Sequence, residues 1–466
     1  MSFHLNKLGL ALALTSSLAG CSAIVKTPYN APTVQVPKQY QYDAQTNKSV
    51  ALTDQWWTLF NDTQLNQLID QVLATNSDLS VAGITLKQAR LQAGLAANQQ
   101  GIRTSSSVST GHNYDLRSGD GSDRGLSASV GVSYELDLFG KLANQTEASR
   151  WEALASAQDL QATAQSLVGT TAKLYWQLGY LNERYQTVQQ NLASTQKIYD
   201  LVQSQYKAGA VSGLDLTQAE QSVQSQKASL SQIEQQRVET RTALAVLLHE
   251  PVQQLNIQEP AKLPRNALPN IAVGLPADIL SRRPDLQASE LRLRKTLASK
   301  DATKASYYPS INLTGNLGSS STSLTQLLQN PALTLGASLS LPFLQYNDMK
   351  KDIAISDLEY EKAITQYRQT LYQAFADVEN ALSNRTQLDQ QVQLQQRNLE
   401  LADKTERLTE VRYRNGAIAL KNLLDAQETT RNARLSLVET KQSQYNAYVT
   451  LMQALGGSPV KELPEQ

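Results

Sequence analysis

The stretch YKAGAVSGLDLTQA, which begins at Tyr206, returns 207 residues later as YRNGAIALKNLLDA, which begins at Tyr413. The two stretches align without a gap and place Gly209 over Gly416. In each, a helical pattern ends at Tyr-x-x-Gly and a second one follows, and glycine is the usual residue where a helix ends in a left-handed conformation. The sequence therefore predicts two helical hairpins, whose ends we call the first tip (206–219) and the second tip (413–426). An internal repeat of this length indicates a duplicated architecture, so the 466 residues are predicted to form one body with two structurally similar halves rather than several separate domains.

Outward from the tips, two pairs of segments alternate between apolar and polar residues, which is the period of a β-strand. In the clearest segment, every even position from Leu126 to Leu138 is apolar, and every odd one is Ser, Gly, Glu or Asp. The preceding segment 117–125 is rich in Gly, Ser and Asp and is expected to be a solvated loop. The pattern predicts four β-strands per chain, at about 104–116, 126–138, 309–318 and 332–343.

A membrane is the predicted environment of these strands. Their length is sufficient to cross a bilayer. The alternative, a half-exposed sheet on a soluble core, needs an apolar mass to cover it, and the remaining chain is long polar helix.

Four strands cannot close a barrel, and an open edge in lipid leaves backbone groups unpaired at a cost of several kcal/mol each. Two copies would give an eight-stranded barrel, and side chains fill the interior of a barrel of that size. Three copies would give twelve strands and leave room for water inside. Because the alternate faces are polar, the sequence favours the wetter arrangement, a homotrimer.

Long helices follow each pair of strands. Apolar residues recur at spacings of four and three from Leu160 to Leu192, which is a heptad seam. At about 1.5 Å per residue, one such helix would reach roughly 100 Å, which no globular domain needs. The predicted long helices are about 141–206, 214–248, 348–414 and 420–455.

The N-terminus has the pattern of an exported lipoprotein. Residues 1–20 combine basic residues, a short apolar run and small residues, as in a secretory signal. Cys21, the only cysteine, follows Leu18-Ala-Gly, which resembles a bacterial lipoprotein processing site. Ser22 is not Asp, which by resemblance to such lipoproteins favours the outer membrane. A lipid on Cys21 would tether the chain to one leaflet; the alternative is a free cysteine beside an ordinary cleavage site.

The predicted domain organisation has six parts. They are a signal peptide (1–20), a lipid anchor with an extended lead (21–62), a first repeat (63–250), a connector (251–276), a second repeat (277–456) and a C-terminal tail (457–466).

Composition and motifs indicate neither nucleic-acid binding nor catalysis. The 42 Lys and Arg balance the 42 Asp and Glu, so no basic excess is available for nucleic acid. Of the three histidines, His4 lies in the signal, His112 on a predicted strand and His249 at a helix end. Because these positions supply no metal-ligand or Ser-His set, neither an enzyme nor a cofactor beyond the lipid is expected.

Seven motifs in order resemble one family, the outer membrane factors of tripartite efflux pumps. This is the TolC-like superfamily, and most closely its lipoprotein branch typified by OprM, CusC and NodT. The motifs are Leu18-Ala-Gly-Cys21, Trp56-Trp57-x-x-Phe60-x-Asp62, Tyr134-Glu-Leu-Asp-Leu-Phe-Gly140, Arg282-Arg283-Pro284-Asp285-Leu286, Tyr307-Tyr308-Pro309-Ser310, Tyr413-x-x-Gly416 and Leu423-Leu424-Asp425-Ala426-Gln427.

This resemblance implies an internally duplicated α+β membrane protein. Four strands per chain would form a trimeric 12-stranded β-barrel in the outer membrane, continued by a long periplasmic α-helical barrel with a mixed equatorial domain. The tips, around Gly209 and Gly416, would form a periplasmic entrance that opens when an adaptor protein and an inner-membrane pump, of the RND type, dock.

The resemblance also implies a gate at this entrance. In the family, the aspartate of the Leu-Leu-Asp-Ala motif faces the narrowed tip, so three copies of Asp425 would surround one pore. Asp215 matches the family's acidic position in the first tip, and the alternative for it is an ordinary acid in the first turn of a helix. Tyr413, with Arg412 or Arg414, is expected to hydrogen-bond an acid of a neighbouring hairpin.

The family often has Gly-Gly or Asp-Gly shortly after the segment around Pro342, where this chain has Asn347 and Asp348. Asparagine adopts the left-handed conformation more readily than most residues. Asn347 is therefore expected to make the same left-handed turn.

The function expected is a passive exit duct for drugs or other small toxic compounds. Two alternatives remain: an outer-membrane duct for protein secretion, which shares this architecture, and a non-conducting structural lipoprotein with coiled-coil helices. Substrate selectivity is expected to reside in the pump and not in the duct, so this sequence does not identify the exported compound.

Overall fold

The computed structural model describes residues 26–42, 54–114, 121–264, 268–270, 274, 276–321, 327, 329 and 331–457. The predicted signal peptide, Cys21 and most of the predicted tail lie outside the described residues. The chain divides into two compact units. The first unit takes Ile84–Gln158, Leu286–Thr370 and the described residues up to Val34, and the second takes the rest.

A four-stranded antiparallel sheet belongs to the first unit, and its strands follow one another in chain order. The strands are β1 (Arg103–Tyr114), β2 (Gly121–Leu136), β3 (Ser310–Ser321) and β4 (Ala332–Ser340). The prediction of four strands is confirmed.

The ends of three strands differ from the prediction, and one of them, β3, continues to Ser321, three residues beyond its predicted end. The strand β2 begins at Gly121, so the expectation of a loop through residue 125 is wrong there, because ladder hydrogen bonds join backbones whatever the side chains are. The strand β2 ends at Leu136, two residues before its predicted end. Beyond it, the Asp137 carboxylate accepts hydrogen bonds from the backbone N–H groups of Leu142 (3.1 Å) and Ala143 (2.7 Å). The strand β4 ends before Pro342, which has no N–H for the ladder.

The two faces of the sheet differ in polarity. On one face, Val130 pairs with Leu317, and Leu317 pairs with Leu333. On the other face, the hydroxyls of Ser107 and Ser129 are 2.9 Å apart, and those of Ser109 and Ser127 are 2.7 Å apart. The apolar face is not covered within the chain, since the exposed fractions of Val130, Leu317 and Leu333 are 58%, 54% and 68%.

The chain is mostly helical, and its elements repeat in order. Shorter helices precede each pair of strands, and a long helical hairpin follows each pair. The helices are α1 (Thr63–Thr75), α2 (Ser77–Asn98), α3 (Lys141–Lys207), α4 (Gly213–Leu247), α5 (Pro284–Ser306), α6 (Tyr346–Arg414) and α7 (Leu420–Ala454), besides single helical turns such as Trp56–Phe60. Among the described residues, no helix combines the length and the apolar character needed to cross a membrane.

One expected turn is absent at the start of α6. Asn347 is the second residue of this helix, and the non-glycine residues with positive φ in the described chain are Asn61 and His249. The left-handed turn expected at Asn347 is therefore wrong. Instead, a helical turn at Pro342–Leu344 changes the direction of the chain, and the N–H of Gln345 donates to the Pro342 carbonyl at 3.0 Å.

An extended N-terminal segment, residues 26–34, packs on the first unit. The backbone N–H and the hydroxyl of Thr27 donate to the two oxygens of Asp301, at 2.7 and 2.8 Å. The ring of Tyr29 lies 4.4 Å from the Arg294 guanidinium, and its hydroxyl donates to Glu290 at 3.3 Å. Burial, together with the Glu290 carboxylate, raises the pKa of Tyr29.

Aromatic side chains form a core in the second unit. The ring of Trp176 lies 4.7 Å from Phe60 and 4.8 Å from Tyr445. Two residues after Phe60, the carboxylate of Asp62 caps α1 by accepting hydrogen bonds from the backbone N–H groups of Gln64 and Leu65, at 3.0 and 3.1 Å. It also accepts a hydrogen bond from the Tyr175 hydroxyl at 3.0 Å. The Trp-Trp-x-x-Phe-x-Asp motif thus starts α1 and fills the core beside it.

Candidate functional site

Both tips turn in the same way. Gly209 has φ +75° and Gly416 has φ +71°, which is the left-handed region. In each, the next residue closes a Schellman bond: Ala210 N–H donates to the Gln205 carbonyl and Ala417 N–H to the Arg412 carbonyl, both at 2.9 Å. The prediction that these glycines end the helices α3 and α6 is confirmed.

The helices that leave the tips begin differently. Ser212 and Asp215 form a capping box at the start of α4: the Asp215 N–H donates to the Ser212 hydroxyl at 3.3 Å, and the Ser212 N–H donates back to the Asp215 carboxylate at 3.0 Å. Hydrogen bonds from Ser212 lower the pKa of Asp215. At the start of α7 the equivalent residues are Ala419 and Asn422, and Ala419 makes no capping bond with its side chain.

Tyr413 connects the two tips within one chain. Its ring packs against a small apolar cluster whose buried members are Val202, Ala219 and Leu420. Burial, and after it the negative charge of Asp215, raises the pKa of the Tyr413 hydroxyl. The structure thus brings Tyr413 of the second tip into electrostatic contact with Asp215 of the first.

Asp425 has a different partner. Its carboxylate forms an ion pair with Lys421, one helical turn earlier, at 2.7 Å. Arg414 likewise pairs with Glu410 on its own helix, at 2.5 Å. The side chain of Arg412 is exposed beside them on α6.

Three residues that the sequence analysis did not single out therefore take part in the site: Ser212, Lys421 and Glu410. The spacing of four between Lys421 and Asp425, and between Glu410 and Arg414, is a sequence signal that could have found two of them. The box formed by Ser212 and Asp215 also has a recognisable spacing of three.

The described residues contain no group of three or more His, Cys, Asp or Glu side chains placed to bind a metal ion. Two exposed ion pairs lie at or beside the second tip instead: Asp425 with Lys421 on α7, and Arg414 with Glu410 on α6.

Comparison with known proteins identifies the family. The profile described as "Outer membrane efflux protein" matches residues 68–249 and 275–457, one match in each half of the chain. The chain belongs to this efflux family. It is therefore an outer-membrane efflux protein that extends into the periplasm.

Two curated relatives of this efflux protein align over nearly the whole of both chains. The pyoverdine export outer membrane protein OpmQ of Pseudomonas putida is 32% identical over 458 residues, 96% of each chain. The toxin and drug export protein A of Aggregatibacter actinomycetemcomitans is 27% identical over 457 residues, 98% of each chain.

A solved structure is similar in both sequence and fold. The open state of the MtrE outer membrane channel of Neisseria gonorrhoeae is 28% identical, with a TM-score of 0.82. The alignment covers 93% of this efflux protein and 98% of the channel. The duplicated arrangement of strands and long helices is therefore that of an outer-membrane channel.

Proposed function

We propose that three copies of this efflux protein form an outer-membrane exit duct through which drugs or other small toxic compounds leave the periplasm passively. The duct would work in a tripartite pump, with a periplasmic adaptor and an inner-membrane pump of the RND type as partners. It would act as a conduit and not as an enzyme.

The observation that carries the proposal is the two-faced sheet with two open edges. The apolar face suits lipid, and the Ser-rich face suits a water-filled interior. Within the described residues, β1 and β4 each pair with a strand on one side only. Open edges are too costly in lipid, so further copies of the chain have to complete the sheet.

Three copies fit this requirement better than two. Three sheets of four strands give twelve strands, which leaves a wet interior, whereas eight strands are filled by their side chains. The hydroxyls of Ser107 and Ser129, paired across strands on the polar face, would line that interior. A native mass spectrum of the protein in detergent should show three chains, and a mass of two or of one would contradict the proposal.

Small-molecule cargo is supported by family membership and by the relatives' names. Pyoverdine export is named for one relative, and drug export for another. The test is deletion of the gene, followed by susceptibility profiling across antibiotics, dyes and metals with rescue by the plasmid-borne gene. Unchanged susceptibility to every compound would count against efflux, whereas channel formation would be judged separately from single-channel conductance in planar bilayers.

Secretion of protein is the second candidate, because the second relative is named for a toxin as well as for drugs. The two functions differ in what leaves the cell. Loss of a protein from the culture medium of the deletion strain, with no change in susceptibility, would favour secretion over small-molecule efflux.

The gate is proposed to lie at the tips. Three copies of Asp425 would surround the entrance, and Tyr413, packed against the apolar cluster shared by the two hairpins and near the charge of Asp215, would hold the hairpins of one chain together. Arg412 and Arg414, both exposed near the end of α6, would pair with a neighbouring copy, for which Arg414 would have to leave Glu410, and the turns at Gly209 and Gly416 would contact the adaptor. The variant D425A should raise the single-channel conductance in planar bilayers, and an unchanged conductance would contradict a gating role for Asp425.

Lipid attachment at Cys21 remains a proposal, because this residue lies outside the described part of the chain. Acyl chains on Cys21 would tether the N-terminal lead to one leaflet of the membrane. Radiolabelled palmitate should enter the wild-type protein and the S22A variant but not C21S. Equal labelling of C21S would contradict this assignment.

A further inference from the structure

Lys421 forms the ion pair with the proposed gate carboxylate. Its Nζ lies 2.7 Å from Asp425 Oδ2, and the two side chains are 65% and 58% exposed. Both residues lie on α7, one turn apart, so the pair needs no other element to form. Each copy of Asp425 in an assembly would therefore bring its own counter-charge.

The charge of the tips agrees with this neutralisation. The first tip contains one Lys and one Asp, Lys207 and Asp215, and is neutral overall. The second tip contains Arg414 and Lys421 against Asp425, an excess of one positive charge within 413–426, and Arg414 is paired with Glu410 just outside that range. The first turn of α7 also contains no acidic residue, so the positive end of the helix dipole adds to this excess.

An exposed ion pair contributes little to stability but changes the electric field around it. Measured contributions of such pairs are about 0–1 kcal/mol. A bare ring of carboxylates at a constriction attracts cations and repels anions. When each carboxylate is paired with an ammonium group, the ring presents three dipoles in place of three negative charges, and the attraction for cations falls steeply with distance.

We propose that Lys421 sets the charge selectivity of the entrance, by neutralising the Asp425 carboxylate and so preventing it from acting as a cation filter. This inference rests on the proposed function, because it requires a conducting assembly with Asp425 at its entrance. The cargo that it favours includes anionic as well as cationic small molecules, since no bare acidic ring stands in the path.

The experiment compares four full-length variants in planar bilayers: K421Q, D425N, the double variant K421Q/D425N and the control R397Q. Arg397 forms an equivalent exposed pair with Glu400, at 2.8 Å and with 68% and 55% exposure, on α6 and away from the tip. Glutamine keeps most of the length of the side chain and removes its charge. Two quantities are measured: the reversal potential in a KCl gradient, and the hexaamminecobalt(III) concentration that halves the current when added on the side of the tips.

The variant K421Q should shift the reversal potential toward cation selectivity and lower the blocking concentration by about tenfold, the effect of roughly 1.4 kcal/mol of added attraction. The variant D425N should shift the reversal potential toward anions. The double variant should return close to the wild type, and R397Q should not differ from it.

The inference is overturned if K421Q leaves both quantities at their wild-type values, or if the double variant keeps the increased block. Either result leaves the proposed duct intact, because the wild-type protein still conducts. A wild-type protein that does not conduct at all overturns the proposed duct and this inference with it.

Discussion

At the scale of single residues, Asp301 fixes the extended N-terminal segment of the described chain. Its side chain is almost fully buried, with the residue 2% exposed, and both of its oxygens accept hydrogen bonds from Thr27. A buried carboxylate that loses a donor becomes costly, because water cannot replace the lost bond. Together with the contacts of Tyr29, these two short bonds hold the segment on the rest of the first unit.

Removing the Thr27 hydroxyl should loosen this segment. The variant T27V keeps the shape of the side chain but leaves Asp301 Oδ1 without its donor, at a cost of about 1–3 kcal/mol. Hydrogen exchange of the amides in residues 26–34 should speed up in T27V and stay at the wild-type rate in T27S, which keeps the hydroxyl. Equal exchange in the two variants would contradict this role of the hydroxyl.

Buried tyrosines should make the protein sensitive to alkali. Burial raises the pKa of Tyr445 from 10.0 to about 12, and its hydroxyl donates to the Pro264 carbonyl at 3.2 Å. A group whose pKa is raised on folding contributes stability that is complete below the unfolded pKa and is lost as the pH rises through the folded value. Thermal stability should therefore start to fall near pH 10.

The variant Y445F has no phenolic proton at this position, so its stability should fall less between about pH 10 and pH 12 than that of the wild type. The comparison needs midpoints of thermal unfolding at several pH values in this range. Tyr372 is 49% exposed, and Y372F serves as the control, which should follow the wild type throughout. If the unfolding midpoint of Y445F falls with pH as steeply as that of the wild type, Tyr445 is not the cause of the sensitivity to alkali.

At the scale of elements, the two hairpins share one turn but not one helix start. The capping box of Ser212 and Asp215 is replaced by Ala419 and Asn422 in the second copy, so the start of α7 lacks a side chain that satisfies its first N–H groups. The double substitution A419S/N422D would rebuild the box. Because a cap contributes about 1 kcal/mol, hydrogen exchange in the first turn of α7 should slow about fivefold.

The converse substitution tests the same argument in the first copy. The variant S212A removes the cap of α4, and exchange in the first turn of that helix should speed up by a similar factor. If A419S/N422D leaves the exchange of α7 unchanged while S212A speeds that of α4, then contacts other than the missing cap limit the opening of α7.

The sequence predicted elements whose side chains keep a regular period, and it missed contacts that lack one. Alternation from Leu126 to Leu138 locates β2, but the glycine-rich start of this strand has the composition of a loop, because backbone pairing leaves no side-chain signal. The contact of Thr27 with Asp301 joins residues 274 apart, and no local pattern indicates it. At the site, Asp425 was found by its motif, whereas its partner Lys421 required attention to helical spacing.

At the scale of the whole molecule, the apolar face of the sheet is left uncovered by the described chain. Gly315 on the apolar face leaves room for its neighbours, since a Cβ there would lie 3.2 Å from Val132 Cγ2 and 3.4 Å from Leu335 Cδ2. These apolar side chains close over the glycine and form a continuous surface. Leu335 nevertheless remains 77% exposed, so no other part of the described chain covers this surface, and lipid would cover it in the proposed barrel.

Adjacent residues of β4 provide a direct test of this arrangement. Leu335 pairs with Gly315 on the apolar face, and Thr334 pairs with Asn316 on the polar face. A lysine facing lipid near the middle of a strand costs about 2–4 kcal/mol, and three copies of the chain would multiply that cost. In L335K, little protein should reach the outer membrane as a heat-modifiable oligomer, whereas T334K should assemble normally, because its charge would enter the water-filled interior of the proposed barrel. If T334K fails and L335K assembles, the faces are assigned the wrong way round, and if both assemble equally, the sheet does not lie in lipid.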